Sequence, residues 1–117
     1  MNTKLAKKLY DAARQYLILE KFKAAMRYFD DVIEQYHDTE YAPLAYIDKI
    51  ELLISRTKYR EAQAEISRFI SRYPNSVLRG RIDLLLQKVA RELGDAPAAR
   101  RGNASILPPS EMSSRAE

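Results

Sequence analysis

Few residues of this chain have the chemistry that catalysis or metal binding requires. His37 is the only histidine, and Asp30, Asp31 and Glu34 place carboxylates about one helical turn apart. These acids could bind a divalent cation weakly, but metal sites usually collect ligands from several elements. A lone histidine without an arranged serine and aspartate forms no hydrolytic triad. We therefore interpret the acids as a solvated helix face and His37 as a turn residue, and we expect no enzyme activity, metal or cofactor.

The composition narrows the function classes further. The 117 residues contain no cysteine, which excludes disulfides, thiol catalysis and cysteine-ligated zinc. No glycine-rich phosphate loop occurs, and no apolar run approaches the roughly 18–20 residues of a membrane span. The net charge is +4, but basic and acidic residues are interleaved along the chain. That pattern is typical of a solvated surface, whereas a nucleic-acid footprint would cluster its basic residues on one face.

The elements that must position any site are helices, because apolar residues recur at helical spacing through most of the chain. Asn2 or Thr3 is expected to cap the first helix. Pro43 is placed in the first turn of the third, where its missing N–H leaves no bond unmade. Five helices are predicted. Four of them cover residues 4–19, 22–36, 59–73 and 77–93, and the third helix along the chain, which contains Pro43, ends near residue 54.

The second and fourth predicted helices nearly repeat each other. Residues 21–39 align with residues 58–76 at an offset of 37, and apolar positions keep their chemical type across the shift. A fixed period of this size is typical of repeat proteins, which stack helical hairpins and hold partners on the resulting surface. The residues expected to pack the repeats are Ala25, Phe29, Ala62, Ile66 and Phe69.

The hairpin units resemble tetratricopeptide repeats. Each has a small residue, Ala25 or Ala62, near the start of its second helix, and Pro74 ends the second unit. The period exceeds the usual one of about 34 residues, and His37 stands where the first repeat should have its proline. The resemblance implies an all-α, right-handed superhelix of two hairpin repeats with a C-terminal capping helix. The implied parts are a repeat domain over 1–94, with repeat one at about 4–39, repeat two at about 40–76 and the capping helix at about 77–94, and then a disordered tail over 95–117.

In tetratricopeptide repeats the first helix of each pair lines a concave groove. The groove-facing positions that the family pattern implies here are Tyr10, Arg14, Leu17, Leu44, Ile47, Glu51 and Ile54. Five of these seven are apolar, and monomers usually avoid exposing such a patch. Either a partner segment, a second copy or neighbouring repeats cover them, or they are ordinary core residues. Leu84 also interrupts the polar face of the predicted capping helix, which indicates a further contact there.

Two stretches carry a narrower resemblance. FDDVIEQYHDTEYAPLA, residues 29–45, and FISRYPNS, residues 69–76, resemble phrases of the BamD (YfiO) family of outer-membrane assembly lipoproteins. Related phrases occur in CpoB-type periplasmic cell-division coordinators. The resemblance covers about residues 5–90 and corresponds to the C-terminal half of a BamD-type protein. That family has more repeats and a lipidated N-terminal cysteine, and its C-terminal repeats dock the periplasmic domains of the barrel-inserting BamA component.

The resemblance implies a protein–protein interaction scaffold of the outer-membrane assembly machinery. The implied partners are a BamA-like periplasmic domain or another envelope protein, and no nucleic acid. The membrane would be reached only through a lipid anchor absent from this chain, and self-association through apolar faces is left open. The expected location is the periplasm, at the inner face of the outer membrane, if the chain is part of a lipoprotein, and the cytoplasm if Met1 is the native start.

Alternative functions remain open at this point. One is a CpoB-like coordinator of the cell envelope, and another is a cytosolic repeat adaptor. A third, supported by the sequence pI of about 9.4 alone, is a basic helical protein that binds nucleic acid.

Overall fold

The computed structural model describes residues 2–94 and forms an array of helical hairpins. Within residues 2–94 there is no strand, so the predicted all-α fold is confirmed. The helix ends lie within two residues of the expected positions. The handedness of the superhelix stays a prediction, and the predicted disordered tail, 95–117, lies outside the described residues. The helices are α1 (Thr3–Ile18), α2 (Phe22–Gln35), α3 (Tyr41–Ser55), α4 (Tyr59–Arg72) and α5 (Arg79–Glu92).

Two local signals act at helix starts as expected. The Asn2 side chain caps α1 by accepting a hydrogen bond from the Leu5 N–H at 3.1 Å. Such a bond satisfies a backbone donor that the helix itself cannot pair. Pro43 lies in the first turn of α3, where its missing N–H removes no helical hydrogen bond. The starts of α1 and α3 therefore each follow from a single residue of the sequence.

The turns inside the two hairpins have the same backbone hydrogen bonds. After α1, the Lys21 N–H donates to the Tyr16 carbonyl at 2.8 Å, and after α3 the Lys58 N–H donates to the Leu53 carbonyl at 2.8 Å. This six-to-one bond is the mark of a Schellman motif, which pairs the last carbonyls of a helix. The offset of 37 residues in the sequence is thus an offset of equivalent turns in the structure.

The residues predicted to pack the repeats lie in the core. Phe29 and Phe69 are the two largest fully buried side chains, and burying one such ring contributes roughly 1.5–3 kcal/mol. Tyr46 of α3 packs edge-on against Phe69 of α4, with ring centroids 5.8 Å apart and an interplanar angle of 88°. The predicted packing residues that are 0% exposed are Ala25, Phe29, Ala62, Ile66 and Phe69.

Helix α3 is the centre of the array. It packs against all four other helices, whereas α1 meets α2 and α3, and α5 meets α3 and α4. A helix with neighbours on several sides must bury more than one stripe. Its buried residues are accordingly Ala42, Ala45, Tyr46, Ile47, Asp48, Ile50, Leu52, Leu53 and Ile54.

Helix α5 stands in the place of the first helix of a third repeat. Its contacts with α4 and α3 match those of α3 with α2 and α1, and it begins 37 residues after Ala42. Where α3 turns Tyr46 toward α4, the corresponding residue of α5 is Asp83, which is exposed. Ile82 and Val89 are buried on the other side of α5. One apolar and one polar face is what a terminal capping helix needs.

Candidate protein-docking surfaces

The predicted groove residues divide into two groups. Ile47 and Ile54 are only 1% and 7% exposed, so the prediction that they line an accessible groove is wrong. They belong to the core because α3 is enclosed by its neighbours. The groove residues that stay fully or partly exposed are Tyr10, Arg14, Leu17, Leu44 and Glu51.

A buried carboxylate that sequence reasoning missed organises the α1–α3 contact. Asp48 of α3 is 8% exposed and accepts a hydrogen bond from the Tyr10 hydroxyl. Arg14 Nη1 lies 3.1 Å from the same Asp48 oxygen. The sequence feature that could have indicated this carboxylate is the presence of an aspartate within the most apolar of the five described helices. Tyr10 and Arg14 are therefore held in place on the surface of α1 by a residue of the next repeat.

The environment of Tyr10 disfavours its ionised form. Burial, followed by the hydrogen bond to Asp48, raises the pKa of Tyr10 to about 12. The negative charge of Asp48 raises the pKa of Arg14. The Tyr10 ring also lies 5.7 Å from the ring of Tyr41 and 6.2 Å from that of Phe29. Near neutral pH Tyr10 is therefore a neutral phenol and Arg14 carries its positive charge.

A second polar contact joins α3 to α5. Arg81 Nη2 lies 2.9 Å from Glu51 Oε2, which brings the start of α5 beside the surface of α3. Leu84 follows Arg81 by one helical turn, so it lies on the same side of α5. It is 65% exposed and corresponds to Ile47 at the 37-residue offset. We call the surface formed by α1, α3 and α5 the first-helix face; its members are Tyr10, Arg14, Leu17, Leu44, Glu51 and Leu84.

The first-helix face is less apolar than the sequence predicts. Two of its expected apolar residues, Ile47 and Ile54, are in the core, and charged side chains tie its helices together. Leu84 is its most exposed apolar side chain among the described large hydrophobics. The face therefore combines a few apolar contacts with charges of both signs, as protein interfaces outside their cores commonly do.

A separate pocket opens between α2, α3 and α4. Its volume is about 500 Å³, and no residue of α1 or α5 lines it. Its apolar lining comes from Phe22 and Met26 of α2 and from Leu52 and Leu53 of α3. We call it the α2–α4 pocket. Sequence reasoning missed it, because it is created where two hairpins meet.

One side of the α2–α4 pocket is a network of charges. Lys49 Nζ lies 2.5 Å from Asp30 Oδ1 and 3.3 Å from Glu65 Oε2, and Arg68 Nη1 lies 2.7 Å from the same Glu65 oxygen. The Lys49 and Glu65 side chains are 13% and 10% exposed. Charges this poorly solvated persist only when they are paired. At the 37-residue offset Lys49 corresponds to Leu86 of α5, so an apolar residue would fit the repeat pattern better.

The acidic residues around Asp30 and the single histidine, His37, were the candidates for metal binding or catalysis, and both Asp30 and His37 make structural contacts. Asp30 pairs with Lys49, and no group of three or more candidate ligands among the described residues is arranged to hold a metal ion. The backbone carbonyl of His37 accepts a hydrogen bond from the Tyr73 hydroxyl at 2.8 Å. His37 thus takes part, through its backbone, in fixing the loop between the repeats.

Comparison with known proteins gives one result. A family model described as "YfiO: Outer membrane lipoprotein" matches residues 2–79, which extends from the N-cap of α1 to the first residue of α5. The match confirms the resemblance carried by residues 29–45 and 69–76. No curated protein matches the chain. Among the described helices, none combines the length and apolar character of a membrane span.

Proposed function

The chain belongs to the YfiO family of outer membrane lipoproteins, and from this membership we propose that it is a protein-docking subunit of the outer-membrane protein assembly machinery. Its role in this proposal is to bind, without catalysis, a BamA-like periplasmic domain or another envelope protein. Its place would be the periplasm, at the inner face of the outer membrane, held there by a lipid anchor.

The observation that carries the proposal is the construction of the first-helix face. Asp48 fixes Tyr10 and Arg14 between α1 and α3, and Glu51 pairs with Arg81 between α3 and α5. Side chains of α1 and α3 are thereby held in one arrangement before any partner arrives, and the exposed Glu51–Arg81 pair lies beside them. Such pre-organisation lowers the ordering cost of binding. Leu84, exposed beside this ordered set, is the apolar anchor available to a partner.

The test is a binding measurement with the purified periplasmic domains of a BamA-like protein. Leu84→Glu places a charge on the first-helix face and should weaken binding at least tenfold, which corresponds to about 1.4 kcal/mol. Val77→Glu is the matched control, because Val77 is 98% exposed but precedes α5. It should bind as the parent chain does. Far-ultraviolet circular dichroism should give the same helix content for both variants.

Two results would count against this function. Equal binding by the parent chain and Leu84→Glu would remove the first-helix face as the docking site. An absence of binding to any BamA-like periplasmic domain, with the helices intact, would contradict the proposed partner.

A further inference from the structure

The α2–α4 pocket has the size and lining of a binding site for a side chain. Its volume of about 500 Å³ lies within the usual range for ligand pockets, about 300–1,000 Å³. Leu52 and Leu53 are each 3% exposed, so their positions are fixed by the core. Phe22 and Met26 of α2, which also line the pocket, are partly buried. The pocket thus offers an apolar surface that is already formed.

The charges around this pocket are unevenly balanced. Its lining carries five cations and three acids. Two of the acids, Asp30 and Glu65, are already paired with Lys49 or Arg68. Three of the cations remain, all exposed; no carboxylate of residues 2–94 forms an ion pair with them. These three cations are Lys23, Arg56 and Lys58.

Arg56 joins the apolar and the charged parts of the pocket. Its guanidinium carbon lies 4.6 Å from the centre of the Phe22 ring, a distance at which a cation is attracted to the ring face. A guanidinium held in this way can still present its N–H groups to a carboxylate, often through two parallel hydrogen bonds. Lys58 is two residues away, in the turn before α4. A carboxylate at this edge would therefore meet two cations next to an apolar surface.

We infer that the α2–α4 pocket binds a short acidic segment of a partner protein in which an aromatic or aliphatic side chain stands beside Asp or Glu. The apolar side chain lies against Phe22, Met26 and Leu52, and the neighbouring carboxylate pairs with Arg56 and Lys58. Charge complementarity selects the acidic segment, because three cations of the lining are free for a ligand and only one acid of the lining, Glu61, forms no ion pair within residues 2–94. This site goes beyond the docking surface proposed above and shares no residue with the first-helix face.

The first test uses fluorescence anisotropy with the whole chain and a short fluorescein-labelled peptide that carries one Phe flanked by Asp and Glu. Saturable binding is expected, and it should weaken with added salt because exposed charges are screened. Two control peptides separate the contributions: one replaces the acids with their amides, and the other replaces Phe with Ser. Each should bind about tenfold more weakly. Equal binding of the amide peptide would overturn the inference.

Variants then locate the binding. Ala64 is exposed and lines the pocket, so Ala64→Trp should fill it and abolish peptide binding. Ser67→Trp, on the same helix but outside the lining, is the matched control and should bind normally. The double variant Arg56→Gln, Lys58→Gln should lose about tenfold in affinity, whereas Arg60→Gln should not. Unchanged binding by Ala64→Trp would overturn the inference.

Two further measurements separate this site from its rivals. Leu84→Glu should leave peptide binding unchanged, so a failure of the first-helix face and a failure of the pocket give different results. Anionic lipid is the other ligand that the cations of the α2–α4 pocket could bind. Binding to phosphatidylglycerol vesicles that is lost in the Arg56→Gln, Lys58→Gln variant, without any binding of the acidic peptide, would assign the cations to lipid and overturn the inference.

Discussion

Glu20 and Thr57, which lie 37 residues apart, adopt the same left-handed backbone conformation, with φ angles of 59° and 60°. Each is the residue at which the chain reverses between the two helices of a hairpin. The left-handed region costs a residue with a β-carbon roughly 1–2 kcal/mol. The two repeats therefore share a strained turn, although one uses a glutamate there and the other a β-branched threonine.

Relief of this strain gives the first prediction. Thr57→Gly should raise the free energy of unfolding by about 0.5–1 kcal/mol, because glycine adopts the left-handed conformation without a steric penalty. Ser67→Gly is the control, since it places the same residue within α4, where glycine should cost roughly 0.5 kcal/mol relative to serine. Urea denaturation of both variants checks the opposite signs. A loss of stability in Thr57→Gly would contradict the prediction.

The Tyr10–Asp48 contact predicts a stability loss at alkaline pH. The pKa of Tyr10 is raised to about 12 in the folded chain and is about 10 in an unfolded one. The contribution of Tyr10 to the free energy of unfolding is therefore complete below about pH 10. It is lost as the pH rises from 10 to 12. Burial raises the pKa of Tyr46 and of Tyr73 as well, so the loss is shared among three tyrosines.

Tyr10→Phe isolates the share of this one residue. The variant should be less stable near neutral pH by about 1 kcal/mol, because the Asp48 carboxylate loses a hydrogen bond. It should also lose less stability than the parent chain between pH 10 and pH 12. Urea denaturation over a pH series measures both effects, with Tyr28→Phe as the control. Identical pH profiles for the parent chain and Tyr10→Phe would argue against the Tyr10–Asp48 contact.

The charge network of the α2–α4 pocket gives a prediction about non-additivity. Lys49→Met should lower the free energy of unfolding by about 1–3 kcal/mol, because Glu65 then keeps a single cation partner in a poorly solvated position. Replacing Glu65 by Met as well should recover most of that loss, since the charges then left without partners, Asp30 and Arg68, are 39% and 67% exposed and remain solvated.

The matched control for that cycle is Lys7→Met, which removes a lysine from an exposed pair with Asp11. It should change stability little, because exposed ion pairs contribute little. Thermal unfolding of the set gives the coupling energy. Additive losses from the Lys49 and Glu65 substitutions would show that the two side chains do not interact.

The close packing of the repeats predicts a strong position effect within α4. Ala62 is fully buried, so Ala62→Leu should overpack the contact and cost about 1–3 kcal/mol. Ala64, two residues on, is exposed, and Ala64→Leu should be nearly neutral. Denaturation midpoints of the two variants make the comparison. Equal effects would mean that Ala62 is not at a close helix contact.

Much of the fold can be predicted from the sequence because its signals are local. Helical spacing of apolar residues gives the five helices, Asn2 gives the start of α1, and the 37-residue offset gives the equivalence of the hairpins. The full burial of Phe29 and Phe69 agrees with the stripes read from α2 and α4. Helices α2 and α4 each bury a single face, so one stripe of apolar residues is enough to predict which side chains are buried.

The candidate sites could be predicted less well because they depend on neighbours in space. Ile47 and Ile54 were expected on the groove, but α3 is enclosed by four helices and buries them. The same enclosure places Asp48 and Lys49 where their charges need partners from α1, α2 and α4. Nothing within a single helix indicates which partners those will be.

The sequence by itself determined the helices, their turns and their repetition, because each depends on residues a few positions apart. Only the tertiary structure decided which faces stay open to partners. It set Arg14 and Tyr10 against Asp48, left Leu84 exposed at the position where Ile47 is buried, and opened the α2–α4 pocket. The physical reason is that burial is a property of the assembled array: equivalent residues of the repeat meet different neighbours at its centre and at its ends.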